Sequence, residues 1–179
     1  MSDYQAKIQI GMRDWFMAIG EFVNAFEHLC AHVRLFIYRD CGTHNYESQQ
    51  KIMTLLTPLG ASDLADTVER LFRRTGRLPT GDEKRKVFRD FKALCETRNN
   101  IVHIPWFIGS PQQESTPDAE KYDPYTVTGF NLARRLSVEN AYDVPTLKIG
   151  DVRAATIEAK RLHNAFNELM AGLLADAQT

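Results

Sequence analysis

Apolar residues recur at every third or fourth position through the first forty residues, and this spacing restricts the N-terminal segment to one long helix. The recurring positions are Phe16, Ile19, Val23, Phe26, Cys30, Val33 and Ile37. A second set at intervals of seven widens the apolar face: Trp15, Phe22, Leu29 and Phe36. Because a helix has about 3.6 residues per turn, both sets lie on one broad side. The pattern predicts a helix over residues 3–40 with a large buried face.

The C-terminal segment has the same spacing, carried by Val152, Ala155, Ala159, Leu162, Phe166, Leu169 and Leu173. It predicts a helix over residues 151–175 that packs along the first helix. Three further helices are predicted over residues 46–57, 62–75 and 81–103. The last of these starts after a capping-box sequence, Thr80-Gly81-Asp82-Glu83. It should end near His103, because Pro105 disfavours helical geometry at the residue before it.

The helical period is absent between Ile104 and Gly150. Residues 106–108 and 125–132 are predicted as two strands, and the polar stretch 110–124 as a mobile tip between them. We therefore expect a β-hairpin insertion over residues 104–140. The predicted fold is all-α, a bundle of four to five helices with this hairpin between the last two long helices, and residues 1–179 are expected to form a single domain.

The composition is that of an ordinary globular protein, with 44% apolar and 25% charged residues. No apolar stretch approaches the roughly 18 residues of a membrane span, and residues 1–5 lack the features of a signal peptide. We therefore expect a cytoplasmic protein without a membrane partner. The three cysteines have no C-x-x-C spacing, which argues against a disulfide framework or a zinc ribbon, and Cys30 and Cys95 are expected in the core.

Positive charge is concentrated in one segment although the formal net charge of the chain is −1. Between Arg70 and Lys92 there are nine basic and three acidic residues. Such a run is typical of a solvated helix surface, but it can also bind the phosphates of a nucleic acid. On the second interpretation, the candidate RNA-binding residues are Arg73, Arg74, Arg77, Lys84, Arg85, Lys86 and Arg89.

Three polar residues converge at the end of the predicted helix 81–103. Its apolar stripe consists of Val87, Phe91, Leu94 and Cys95, and the next position on that stripe is Arg98. A buried guanidinium is costly unless it is paired, so Arg98 should meet a carboxylate or line a cleft. Asn99 and His103 lie four residues apart on a neighbouring face.

The hexapeptide Arg98-Asn99-Asn100-Ile101-Val102-His103 resembles the signature of the HEPN superfamily, an arginine and a polar residue followed by a histidine. The long first and last helices, and the position of the motif at the end of the third major helix, follow the HEPN plan over most of the chain. The resemblance implies a homodimer whose two motifs face each other across a cleft. Many HEPN proteins are metal-independent ribonucleases, and others are binding or sensing modules, so the resemblance also implies one of these two activities.

The residue types suit cleavage of RNA by its own 2′-hydroxyl group. A histidine can transfer the proton and an arginine can hold a phosphate oxygen, while Asn99 would orient either the phosphate or the imidazole. We therefore predict Arg98, Asn99 and His103 as catalytic residues, with no cofactor and no metal. The resemblance further implies a toxin or defence effector, with an antitoxin or regulatory protein as a partner. Relatives controlled by such an antitoxin have a tyrosine two residues after the histidine, and Pro105 at that position makes this control doubtful.

Two alternatives stay open. Arg98 could pair with an acidic residue at the edge of the core, such as Glu27, while His103 only caps the helix. Alternatively, the chain could be a non-catalytic HEPN dimer that binds RNA or a partner protein. Among the other histidines, His28 and His32 are interpreted as surface residues rather than metal ligands, and His163 as a packing or interface residue.

Overall fold

Five helices make up most of the part of the chain that the computed structural model describes, which is residues 3–41, 45–74, 82–103, 106–107, 126–129 and 146–176. They are α1 (Asp3–Asp40), α2 (Tyr46–Leu56), α3 (Ala61–Arg74), α4 (Asp82–His103) and α5 (Ile149–Asp176). Each bound lies within two residues of the predicted one, and α1 continues through Gly20 without a break. The prediction of a mainly α-helical protein is confirmed. No helix among the described residues has the length and apolarity that a membrane crossing requires.

Three short strands form a small antiparallel sheet in the order β1 (Trp106–Phe107), β2 (Thr126–Gly129) and β3 (Thr146–Lys148). Trp106 lies opposite Gly129 in the first pair of strands, and Val127 lies opposite Leu147 in the second. The two predicted strands pair antiparallel over residues 106–107 and 126–129, and residues 108, 125 and 130–132 of the prediction lie outside the described residues. The third strand was not predicted, because residues 146–148 are too few to display a strand period. The predicted mobile tip at 110–124 lies outside the described residues.

The chain divides into two compact units, and each contains parts of α1, α4 and α5. We call residues 1–22 and 99–155 the sheet unit, and residues 23–98 and 156–179 the helical unit. The helical unit also contains α2 and α3. The expectation of a single domain over residues 1–179 stays a prediction.

A row of aromatic rings runs through the core of the helical unit. Phe36 of α1 stacks on Phe72 of α3, with 4.9 Å between the ring centroids. Phe72 then meets the edge of Phe88 on α4 at 5.2 Å, and both Phe88 and Phe91 make edge contacts with Phe166 of α5 at 5.9 and 5.7 Å. Edge-to-face pairs stabilise by about 0.5–1.5 kcal/mol beyond the area that they bury. The aromatic row therefore joins four helices of this unit in one core.

Among the described residues, the sheet unit buries side chains from α1, α4 and α5. Trp15 and Phe22 of α1 are 1% and 0% exposed, and Ile101 of α4 and Val152 of α5 are also buried. Phe16 is a correction to the predicted apolar stripe, because 63% of it is exposed. In this part of α1 the buried face is centred on the positions spaced by seven, Trp15 and Phe22, so Phe16 is turned away from it.

Side-chain caps fix where two of the helices begin. The carboxamide oxygen of Asn45 accepts a hydrogen bond from the backbone N–H of Ser48 at 2.8 Å, at the start of α2. At the start of α5, the carboxylate of Asp151 accepts one from the backbone N–H of Lys148 at 3.0 Å. Both bonds satisfy N–H groups at a helix start, and a carboxylate there also interacts favourably with the helix dipole. The second cap explains why α5 begins directly after β3.

Candidate functional site

Arg98 lies on the inward stripe of α4, as its spacing from Val87 predicts. Leu94 and Cys95 before it are 4% and 2% exposed, and Ile101 after it is 2% exposed. The Arg98 side chain itself is 24% exposed, so it is partly buried. Arg98 is the last residue of α4 that belongs to the helical unit.

One partner of Arg98 is Glu27 of α1, which lies in the same unit. The distance from Nη2 of Arg98 to Oε1 of Glu27 is 4.0 Å, at the outer limit of an ion pair, and the Glu27 side chain is 53% exposed. One of the two alternatives named Glu27 as the acid that pairs with Arg98, and the contact agrees with it. A loose, exposed pair of this kind contributes little to stability, typically below about 1 kcal/mol.

Two buried thiols lie near this ion pair. Burial raises the pKa of Cys30 to about 12 and that of Cys95 to about 12, and the positive charge of Arg98 opposes the rise at both. Both residues are therefore protonated at neutral pH and behave as small apolar side chains. The prediction that Cys30 and Cys95 lie in the core is confirmed.

Asn99 and His103 belong to the sheet unit, and both are exposed. They lie one turn apart on the last two turns of α4, and α4 ends at His103 as Pro105 predicts. Ile101 between them is buried and anchors this end of the helix. The last turn therefore presents an amide and an imidazole at the surface while its apolar side is packed.

The basic segment, residues 70–92, contains two kinds of side chain in the fold. Some form ion pairs with carboxylates, and others are exposed. Lys92 binds Asp66 and Glu69 of α3 at 2.6 and 3.0 Å, and Arg73 binds Glu69 at 2.8 Å. The hydrogen bond from Lys92 is the main reason why the pKa values of Asp66 and Glu69 are lowered, and the same contacts raise the pKa of Lys92. This part of the segment is therefore largely neutralised.

The remaining candidate RNA-binding residues divide by position. Arg85, Lys86 and Arg89 are exposed on α4, and Arg74 is exposed at the end of α3. Arg77 and the side chain of Lys84 lie outside the described residues. Because positions 85 and 89 are one turn apart, their side chains lie on one face of α4. The cationic surface that the structure describes is thus centred on the first two turns of α4.

Two cations on α5 were missed from the sequence. Arg161 forms ion pairs with Asp90 of α4 and with Glu158 of its own helix, the latter at 2.6 Å, and Lys160 beside it is exposed. The contact with Asp90 brings this stretch of α5 against the cationic part of α4. The hydrogen bond from Arg161 lowers the pKa of Glu158, and the nearby charge of Lys86 adds to that effect. Asp90 and Arg161 are 71 positions apart in sequence, so no periodic pattern links them. Their contact is visible only in the fold.

His32 departs from the interpretation as a surface histidine. Its Nε2 atom is buried, and its ring lies 4.4 Å from that of His163 on α5, measured between centroids. His28, one turn earlier on α1, is exposed as predicted. The described residues contain no group of three or more His, Cys, Asp or Glu side chains arranged to hold a metal ion.

No family model, curated protein sequence or solved structure matches this chain.

Proposed function

We propose that the chain is a metal-independent endoribonuclease of the HEPN type that acts in the cytoplasm as a homodimer, with Arg98, Asn99 and His103 in its active site. The observation that carries the proposal is the placement of Arg98, which continues an apolar stripe of α4 yet stays partly exposed beside a loosely held carboxylate. An arginine on a core stripe is costly unless its charge has a use or a partner. Because the Arg98 side chain is 24% exposed, a phosphate group can approach it.

The proposed reaction needs only the RNA, the protein and water. The 2′-oxygen attacks the neighbouring phosphorus, the bond from phosphorus to the 5′-oxygen breaks, and the products are a 2′,3′-cyclic phosphate and a 5′-hydroxyl group. One proton leaves the 2′-oxygen and one is delivered to the 5′-oxygen. His103 transfers the proton at one of these oxygens and water transfers the proton at the other, while Arg98 binds the phosphate oxygens as negative charge develops. Asn99 orients the phosphate or the imidazole.

The exposed surface of α1 supports a homodimer. Ile10, Phe16 and Met17 are 56%, 63% and 53% exposed, and all three lie in the sheet unit. At about 100° per residue, Met17 and Ile10 lie roughly opposite the buried Trp15, whereas Phe16 lies about 100° from it, at the border of the buried face. Large exposed apolar side chains close together on one helix are typical of an interface rather than of a solvated surface. A second copy would cover them and, in the arrangement that HEPN proteins suggest, would bring a second His103 to the site.

The cationic surface of α4 supports RNA as the substrate. Arg85, Lys86 and Arg89 are exposed in the helical unit, and Arg98 lies further along the same helix. Such residues bind the phosphates of RNA without reading its sequence. The proposal therefore assigns the broad affinity for RNA to this surface and the chemistry to the end of α4.

The contact between Arg98 and Glu27 favours a second candidate function. If Glu27 serves only to neutralise Arg98, the motif is a structural element, and the chain is a non-catalytic HEPN dimer that binds RNA or a partner protein. The two candidates differ in whether the protein cleaves RNA, so they can be separated directly.

End-group analysis tests the proposal. Purified protein is incubated with a mixed RNA pool in the presence of EDTA, and the ends of the products are identified. The proposal predicts 2′,3′-cyclic phosphate or 3′-phosphate ends together with 5′-hydroxyl ends. Products with 3′-hydroxyl and 5′-phosphate ends would contradict the mechanism, and intact RNA would favour the binding protein.

A further inference from the structure

A pair of histidines joins α1 to α5 within the helical unit, and the proposed reaction uses neither of them. The rings of His32 and His163 lie 4.4 Å apart between centroids, with an angle of 37° between their planes. Both side chains are partly buried. The Nε2 atom of His32 is fully buried and has no hydrogen-bond partner in the part of the chain that the structure describes.

The two ring nitrogens of His32 have different surroundings. The side chain of His32 forms a hydrogen bond with Asn167, one turn after His163 on α5. Because Nε2 has no partner among the described residues, we assign this bond to Nδ1. A neutral imidazole with its proton on Nδ1 fits this arrangement, since Nδ1–H can donate to the Asn167 oxygen and Nε2 carries only a lone pair. A protonated imidazole would add a second N–H at Nε2, where the described residues offer no acceptor.

The charges near His32 also oppose its protonation. The ionisable groups that act on it are His163 from α5 and Arg39 from its own helix, and each is positive when charged. Burial is the largest influence that lowers the pKa of His32, followed by His163 and Arg39, while the hydrogen bond with Asn167 acts in the opposite direction. No carboxylate among the described residues contributes to this balance.

We propose that the contact between His32 and His163 is a pH-sensitive latch, which holds α1 against α5 when both imidazoles are neutral and releases them when the pair is protonated. The ordinary pKa of a histidine is 6.5, and the pKa of His32 in the folded protein lies below that value. The unfolded chain therefore binds more protons than the folded chain at pH values between the lowered pKa of His32 and about 6.5. The latch contributes its full stability above that pH and loses it as the pH falls through the lowered pKa of His32. This inference is independent of the proposed ribonuclease activity.

Thermal unfolding of matched variants tests the latch. The melting temperature is measured by circular dichroism at about pH 7.5 and at about pH 5.5, on either side of the ordinary histidine range. The variants are His32→Gln, which cannot titrate, and His28→Gln, which removes an exposed histidine one turn away on the same helix. We expect acid to lower the melting temperature of wild type and His28→Gln by about 2–4 °C more than that of His32→Gln. An equal acid-induced decrease in all three proteins would overturn the proposal.

Titration of the wild-type imidazoles by NMR keeps the test independent of how well His32→Gln folds. The proposal predicts that the midpoint of His32 lies below 6.5 and rises towards 6.5 in His163→Gln, because that substitution removes a neighbouring positive charge. A His32 midpoint at or above 6.5 would exclude the latch. An unchanged midpoint in His163→Gln would show that the two rings do not act as a pair.

Discussion

The Nη2 atom of Arg98 lies 4.0 Å from the Oε1 atom of Glu27, and two accounts of the motif differ in what this contact does. In the first account the contact is structural and compensates for the cost of partly burying a charge. In the second account Arg98 also binds a phosphate group of RNA. The proposed activity depends on the second account.

Substitutions at these two positions measure the difference. We expect Glu27→Gln to lower stability by less than about 1 kcal/mol, because half of the side chain is exposed, and to leave RNA cleavage within about threefold of wild type. Arg98→Ala should abolish cleavage. Denaturant unfolding of both single variants and the double variant gives their coupling energy. A coupling energy above about 2 kcal/mol, together with a wild-type protein that does not cleave RNA, would show that the contact between Arg98 and Glu27 is only structural.

Binding of RNA should depend on the exposed cations of α4 and not on those held by carboxylates. We expect Arg89→Gln to weaken RNA binding and to reduce its dependence on salt, because each neutralised phosphate releases a counterion. Lys92→Gln is the matched control on the same helix, since Lys92 is bound to Asp66 and Glu69. Filter binding at several salt concentrations measures both effects. Equal losses of affinity in the two variants would contradict the assignment of the RNA surface.

The three-residue contact around Lys92 should make the protein sensitive to acid. The pKa values of Asp66 and Glu69 are lowered from 3.8 and 4.5, chiefly by hydrogen bonds from Lys92. A lowered carboxyl pKa stabilises the folded state above the ordinary pKa, and that contribution is lost as the pH falls through the lowered value. We expect Lys92→Gln to destabilise the protein at neutral pH and to have a progressively smaller effect as the pH falls through the lowered pKa values, where wild type loses the contribution. Melting curves across this range provide the check, and a Lys92→Gln effect that persists unchanged in acid would refute it.

Self-association should depend on the exposed apolar face of α1. Phe16→Asp places a charge on that face, so we expect it to shift a dimer towards the monomer while leaving the helical signal unchanged. Leu55→Asp is a suitable control, because Leu55 of α2 is 70% exposed and Phe16 is 63% exposed. Light scattering at micromolar concentration distinguishes the species. A wild-type monomer, or equal dissociation by both variants, would exclude α1 as the dimer face.

Local periodicity explains most of what could be predicted from the sequence. The spacing of Trp15, Phe22, Leu29 and Phe36 recurs over many turns, so it located α1 and its core face, and the spacing from Val87 to Arg98 indicated which way Arg98 points. Phe16 could not be excluded from the core by that argument, because it borders the same stripe. The partner helix decides how wide the buried face is.

Contacts between distant segments could not be predicted in this way. The pairing of His32 with His163, the binding of Lys92 to α3 and the contact of Arg161 with Asp90 each depend on how two helices pack. These polar residues lie at the edges of apolar stripes. At such positions the sequence does not distinguish a residue that contacts another helix from one that is exposed to solvent. The short strand β3 escaped prediction because three residues are too few to show alternation.

The most direct test of the ribonuclease account compares His103→Ala with His28→Ala, which replaces another exposed histidine. RNA cleavage is measured in EDTA, and circular dichroism and light scattering show that each variant keeps its helices and its association state. The account predicts that His103→Ala loses at least about 100-fold in rate, the usual contribution of a proton-transfer group, while His28→Ala cleaves like wild type. Cleavage by His103→Ala at the wild-type rate, or a wild-type protein that leaves a broad RNA pool intact, would contradict it.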